Sequence, residues 1–370
     1  MRSNLFRYFL ALIVFPVLFF TACRHDFQER IHPEAVKGVL DLTDWDFKRD
    51  GPVDLTGEYE FYWKQHLKPQ EFKKTTPPQK TGFIRVPGYW NGYEVEGKKL
   101  SGDGCATYRL KILLNDLKEP LALKLLSMGT AFNVYVNDKR VSSVGVAGKN
   151  RETTIPRYFP QTVDFEIEIN KIELIFQVSN FHHGRGGAWN VIRLGREKEI
   201  QIIRQKRLGF DLFLFGSIFI IALYHLGLFT IRKKDRSLLY FSIICLLISL
   251  RLLTTGERYF IHLFPNIGWE LLVKLEYLSF YLSVPTFSLF MQSLFFREFS
   301  KRFLHLIVVL GFAFSCTVLF TPAKIFSHTL QIYEVITLIA LMYGLYVLII
   351  SSVRKRDGAT IFLFGFIILK

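Results

Sequence analysis

From residue 209 onward the chain is a succession of apolar runs, and their lengths constrain everything else about it. The runs 209–230, 271–296 and 330–352 exceed the roughly 20 residues a helix needs to cross about 30 Å of hydrocarbon. The runs 238–253 and 303–320 fall somewhat below it. A bilayer offers no water to unpaired backbone groups, so such runs are expected to be transmembrane helices. A sixth run, 359–370, is too short to cross, and the chain is therefore expected to be a fragment that stops within a sixth helix. Half of the 370 residues are hydrophobic although 21% are charged. Segregation reconciles the two figures: residues 24–208 are polar and rich in turn residues, and Leu, Ile and Phe dominate the remainder.

A net charge of +15 raises the question of nucleic acid. Much of the excess lies in short runs beside the apolar segments, with ten Lys or Arg in 232–236, 297–302 and 354–356. The alternate loops, 254–270 and 321–329, hold only Arg258 and Lys324. This is the positive-inside pattern, and it places residues 24–208 outside the cytoplasmic membrane. A nucleic-acid binder would gather its cations on a soluble module with stacking aromatics, so no nucleic-acid partner is expected. Arg204, Lys206 and Arg207 lie just outside the first span and break the charge rule; an export signal would outweigh them.

That signal is legible. Arg2 and Arg7 precede a short apolar core, 8–20, and Thr21-Ala22 lead into Cys23. Residues 19–23 resemble a lipoprotein box, with Phe20 where Leu is usual, which makes Cys23 a lipidation candidate. Simple cleavage and an uncleaved anchor remain open. Cys105, Cys245 and Cys316 show no CxxC or Cys/His spacing, so no disulfide, metal or cofactor is expected.

The exported part reads as short strands between turns. Residues 58–63 are aromatic and partly alternating, 107–112 alternate polar with apolar, and 83–86 stop at Pro87-Gly88. Residues 132–136, Asn137-Asp138 and 140–141 form a hairpin by turn chemistry. Residues 165–169 alternate strictly, so one face is buried and one is wet, and the more continuously apolar 172–178 suit a strand inside a sandwich. Many short strands without helical partners predict an all-β sandwich. The division is a signal peptide over 1–23, a linker over 24–37, a sandwich over 38–200 and a membrane domain over 209–370.

Residues 55–61, 86–90, 106–109, 134–138 and 177–183 together resemble the galactose-binding-like jelly roll found beside glycosidase domains and on bacterial sensors. The resemblance implies a small, carbohydrate-like or other polar ligand. Aromatic and polar side chains near a loop rim make Trp90, Tyr93, His182, His183, Arg185 and Trp189 candidate ligand contacts, although tryptophans more often fill cores. The glycines of 182–187 would let backbone approach a ligand closely. The same stretch could instead be a loop that docks on membrane-proximal helices.

Charges within spans are costly and usually face a partner. Arg251, Lys274, Glu276 and Glu334 fall toward the outer helix ends, where Arg251 could pair with Glu276 or Glu334 while Lys274 snorkels. Residues 239–242, 250–257 and 274–282 resemble helices two and three of the seven-transmembrane receptors with diverse intracellular signalling modules. That resemblance implies a receptor that senses an extracytoplasmic ligand and drives a cytoplasmic output: a cyclase, diguanylate cyclase, histidine kinase or phosphatase. Its partners would be the lipid bilayer, the ligand and an output domain in cis or a separate signalling protein, with homodimerisation left open. A transporter or channel with an exported β domain is the alternative, as is a membrane-anchored carbohydrate-binding module. No GxSxG, P-loop, GxGxxG or defensible carboxylate pair marks an enzyme. Lipidation of Cys23 predicts that the protein takes up radioactive fatty acid and that Cys23→Ser abolishes the label; either alternative predicts no label in the wild type.

Overall fold

The computed structural model describes residues 32–115, 119–166 and 170–368. The export signal and Cys23 lie outside them. Strands β1 (Val39–Leu42), β2 (Val53–Asp54), β3 (Gly57–Trp63), β4 (Gly82–Val86), β5 (Glu94–Val95), β6 (Lys98–Lys99) and β7 (Gly104–Leu114) come first. They are followed by β8 (Leu121–Leu125), β9 (Ala131–Val136), β10 (Lys139–Val144), β11 (Gln161–Phe165), β12 (Lys171–Asn180) and β13 (Arg193–Arg196).

One sheet runs β10-β9-β12-β7-β3-β4, with β1 beside β7, and the other runs β11-β8-β13-β2. The long strand β7 organises the first sheet. Its partner β12 runs antiparallel over its whole length, from Lys171 opposite Leu113 to Asn180 opposite Gly104. On the other edge β3 pairs antiparallel and β1 parallel, so one strand gathers three neighbours. Alternation turns Tyr108, Leu110 and Ile112 of β7 and Leu174, Phe176 and Val178 of β12 into the core between the sheets.

The outer face of β12 is covered as well, which explains its nearly continuous apolar sequence. The segment after β3 lies over it: Gln177 Nε2 donates to the Leu67 carbonyl at 3.1 Å, and Ser179 Oγ meets His66 Nε2 at 3.1 Å. The expected hairpin is β9–β10, its turn carried by Asn137 at φ +53°. The alternating stretch expected over 165–169 contributes only Phe165 to β11, which lies earlier, and 167–169 fall outside the described residues.

The membrane half consists of α1 (Glu197–Ile231), α2 (Arg236–Thr254), α3 (Trp269–Leu294), α4 (Lys301–Phe320), α5 (Leu330–Val353) and α6 (Ala359–Ile368). Helices α1, α2, α4 and the stretch 323–353 are long and apolar enough to cross a membrane. Helix α3 is the central one. It packs on α2, α4 and α5, and its Ser279, Ser283, Thr286, Ser288 and Ser293 hydroxyls donate to carbonyls of its own preceding turn. These local bonds make a hydroxyl-rich helix acceptable inside a bundle.

Helix α1 begins directly after β13, ahead of the apolar run at 209, and its 35 residues span about 52 Å at 1.5 Å per residue. Its first turn buries Ile200 completely against the sandwich. Gly195 makes this possible, because a Cβ there would come within 2.9 Å of Pro52 and 3.2 Å of Ile200.

Truncating Phe176, buried between the sheets, to alanine should destabilise the sandwich by about 3–5 kcal/mol. Exposed Lys139→Ala should stay within about 0.5 kcal/mol. Denaturant titration of the full chain in detergent measures both.

Candidate functional site

The end of β12 builds the site. Asn180, fully buried, donates from Nδ2 to the carbonyls of Gly102 (2.7 Å), His183 (2.7 Å) and Arg185 (2.9 Å), and its Oδ1 accepts from the His183 amide at 3.2 Å. Asn91 grips the same loop, donating to the Gly184 carbonyl at 3.0 Å and accepting from the Gly186 amide at 2.9 Å. The loop is thus held rigidly, and it is held against the helices. The Gly184 amide donates to Ser327 Oγ at 2.9 Å in the short connection before α5. A Cβ on Gly184 would sit 2.5 Å from His328 Nε2 and 2.8 Å from Ser327 Oγ, so a larger residue would have to push these side chains aside. Beside it Lys324 forms an ion pair with Asp103, and the His182 ring packs edge-on to Trp269 of α3 at 6.3 Å.

Next to this seat lies a cavity of about 120 Å³ lined by both halves of the chain. The sandwich contributes Tyr89, Tyr158, His183, Arg185 and Trp189, and the helical half contributes Arg258, Val273, Glu276, Tyr277, Ser327 and Leu330. Admitting a single water takes roughly 10–15 Å³ by this measure, so the cavity has room for a small molecule. Trp189 packs against Tyr89 at 5.6 Å and His183 at 5.9 Å. The Arg185 guanidinium lies over the Tyr89 ring at 5.2 Å. Opposite, Arg258 lies 4.5 Å from the Tyr158 ring centroid and donates to Glu276 Oε2 at 2.8 Å. Burial pushes the His183 imidazole down to about 4, so it is neutral near pH 7.

The sequence-derived candidates divide accordingly. His183, Arg185 and Trp189 line the cavity, and His182 stands beside it on Trp269. Trp90 and Tyr93 do not reach it. Trp90 is completely buried against Trp63 at 5.2 Å, and Tyr93 meets the edge of Phe61 at 5.5 Å; both fill the sandwich behind the loop, because burying such large rings is worth more there. The loop 182–187 meets the helical half through the Gly184 amide and Ser327.

The expected charge pairs are rearranged. Glu276 takes Arg258 as its partner, while Arg251 donates to the Glu276 carbonyl at 3.2 Å and lies over the Phe280 ring at 4.9 Å. Glu334 is exposed on α5 and makes no ion pair among the described residues. Lys274 reaches the Leu319 carbonyl at 3.2 Å and Glu270 at 3.5 Å.

Sequence reasoning missed Tyr89, Tyr158, Arg258 and Tyr277. One signal was available: Arg258 and Lys324 are the two cations in the outer loops, and each is fixed at the junction, Arg258 by Glu276 and Tyr158, Lys324 by Asp103. The outer arginine Arg204 likewise meets Glu257 at 3.8 Å, and Glu257 also pairs with Lys124 of β8.

Removing Arg258 strands the carboxylate of Glu276. Arg258→Met should cost about 1–3 kcal/mol, the penalty of an unsatisfied buried polar group, and adding Glu276→Gln should recover part of it. A double-mutant cycle on thermal unfolding in nanodiscs measures the coupling.

Residues 207–369 match the family described as 7TM diverse intracellular signalling. No curated protein matches the chain. Among solved structures it is similar to a GH2 β-galacturonidase from Eisenbergiella tayi, with 17% identity over 39% of this chain and 24% of that one, at a TM-score of 0.27. A β-glucuronidase from an uncultured Clostridium sp. gives 17% identity over 39% and 28%, with a TM-score of 0.30. A β-glucuronidase from Ruminococcus gnavus gives 13% over 39% and 28%, with a TM-score of 0.29. This chain spans about a quarter of the length of those proteins. Residues 207–369 are thus similar to the 7TM diverse intracellular signalling family, and with its apolar helices the chain is a multi-pass membrane protein carrying a β-sandwich ahead of them.

Proposed function

We propose that the sandwich, residues 38–200, reads a small polar ligand of carbohydrate character at the junction cavity and passes the signal to the helix bundle and on to a cytoplasmic output module. That module is a cyclase, a diguanylate cyclase, a histidine kinase or a phosphatase, in cis or as a partner. The observation that carries the reading is the shared lining of the cavity. Tyr89, Arg185 and Trp189 come from the sandwich, while Arg258, Glu276 and Ser327 come from the membrane half. A ligand seated there touches both bodies at once, and it shifts their packing by as much as it favours one arrangement over the other. The jelly-roll resemblance supports the ligand class, and aromatic walls with a few converging polar groups are the usual make-up of a small-molecule site.

The test uses the full chain in nanodiscs against a panel of sugars and sugar derivatives. A saturating ligand at a hundred times its Kd should stabilise the protein by about 2.7 kcal/mol, raising Tm by a few degrees. It should also slow hydrogen exchange over 323–329. The double variant His182→Ala, Arg185→Ala should lose both effects. Protection confined to the sandwich would remove the coupling, and a panel without any binder would remove the ligand class.

A further inference from the structure

The charge around the cavity is unevenly satisfied. Arg258 is neutralised by Glu276, whose carboxylate it contacts at 2.8 Å. Arg185 has no carboxylate partner among the described residues; its contacts are the Tyr89 ring and, at 3.5 Å, the Tyr89 hydroxyl. The histidine of the lining, His183, is neutral because burial opposes its protonation. The site therefore holds one uncompensated positive charge beside an aromatic wall of Tyr89 and Trp189.

From this we infer that the ligand at the junction is a small organic carboxylate, its ring or compact body against Trp189 and its carboxylate on Arg185. The inference rests on the junction-site reading above and narrows its chemistry. A guanidinium presents a planar fork that matches a carboxylate in two parallel hydrogen bonds, whereas a neutral hydroxyl fills only one of them. The second arginine adds a switch. Once in the cavity, the ligand's carboxylate competes with Glu276 for Arg258, and Arg258 follows directly on the turn after α2 and stacks on Tyr158 of the sandwich. Drawing Arg258 toward the ligand loosens its hold on α3 through Glu276. Ligand charge is thereby converted into altered contact between the α2–α3 loop and the central helix.

Matched pairs separate charge from shape: nicotinate with nicotinamide, and glucuronate with glucuronamide, titrated at millimolar concentration into the full chain in nanodiscs. The carboxylate of at least one pair should bind and its amide should bind about tenfold to a hundredfold more weakly, the value of a charge-assisted bond. Arg185→Met should remove that preference. Glu276→Gln should act in the opposite direction and tighten the carboxylate severalfold, because it frees Arg258; a merely structural role for Glu276 would weaken every ligand alike. Equal binding of acid and amide, or a preference that survives Arg185→Met, overturns the carboxylate assignment while leaving the junction site standing. If no acid binds and the neutral sugars also fail, both readings fall together.

Discussion

The backbone passes from the last strand of the sandwich into the first helix of the membrane half without a single intervening residue, and the rest of the architecture depends on that join. Arg196 is at once the last residue of β13 and the N-cap of α1. Its guanidinium is tied to Glu199 one turn on and to Glu119 at the edge of β8. β13 is itself paired along β8, and Ile200 is clamped under Pro52 where Gly195 leaves room. A flexible linker would let the sandwich tumble over the outer leaflet, and no cavity could be shared. A strand continuing into a helix fixes the angle between them, so that the loop after β12 arrives over the ends of α3 and α5.

The contacts that complete the junction are of unequal strength. Asp103 and Lys324 are each about a third exposed, and an ion pair of that kind contributes about 0–1 kcal/mol. Lys124 and Glu257 are far more enclosed, at 14% and 6%, so losing either partner would be costly. Around them Tyr158 packs edge-on to Trp269 at 5.5 Å, joining the sandwich to the apolar cluster of the bundle. The interface therefore has a firm side, near α1 and Glu257, and a softer side, near the cavity and Lys324. Rotation about the firm side is the motion this distribution favours. At the opposite end of the bundle Glu298 of the α3–α4 connection holds Arg356 at 2.9 Å and Arg354 at 3.5 Å, tying the α3–α4 and α5–α6 connections together. Movement of α3 at the outer surface would reach this tie through a helix that touches most of its neighbours.

Much of this was legible in the chain because it follows from periodicity. The two-residue alternation of 107–112 is β7, the Asn137-Asp138 turn is the hairpin, and four of the apolar runs fall in helices long and apolar enough to cross a membrane. Pairings between distant segments were not legible. Arg251 and Glu276 lie at similar depth, which made them plausible partners, but Arg258 folds back from its loop and takes the carboxylate first. Composition placed the boundary at 209, whereas the helix starts at Glu197, since charged and apolar residues alike are good helix formers outside the bilayer. Trp90 illustrates the remaining difficulty: a tryptophan in a loop has the same local sequence whether it faces a ligand or plugs a core, and only its distant partners, the Trp63 ring and the Gly102 carbonyl, decide.

The placement of charge implies that the two halves depend on each other for folding. Glu257 and Arg258 both lie on the outer loop of the bundle, and both take part of their satisfaction from the sandwich, Glu257 from Lys124 and Arg258 from the Tyr158 ring. Without the sandwich Glu257 would keep only Arg204, at 3.8 Å, and Arg258 would lose its aromatic cover. The sandwich loop in turn would present the Gly184 amide without Ser327, and Asp103 without Lys324. Apolar packing of Tyr158 on Trp269 joins the two surfaces, and both also carry polar groups that the contact satisfies. Such an interface is specific in register and only moderately strong, which is what a receptor needs if a small ligand is to alter the packing of one half on the other.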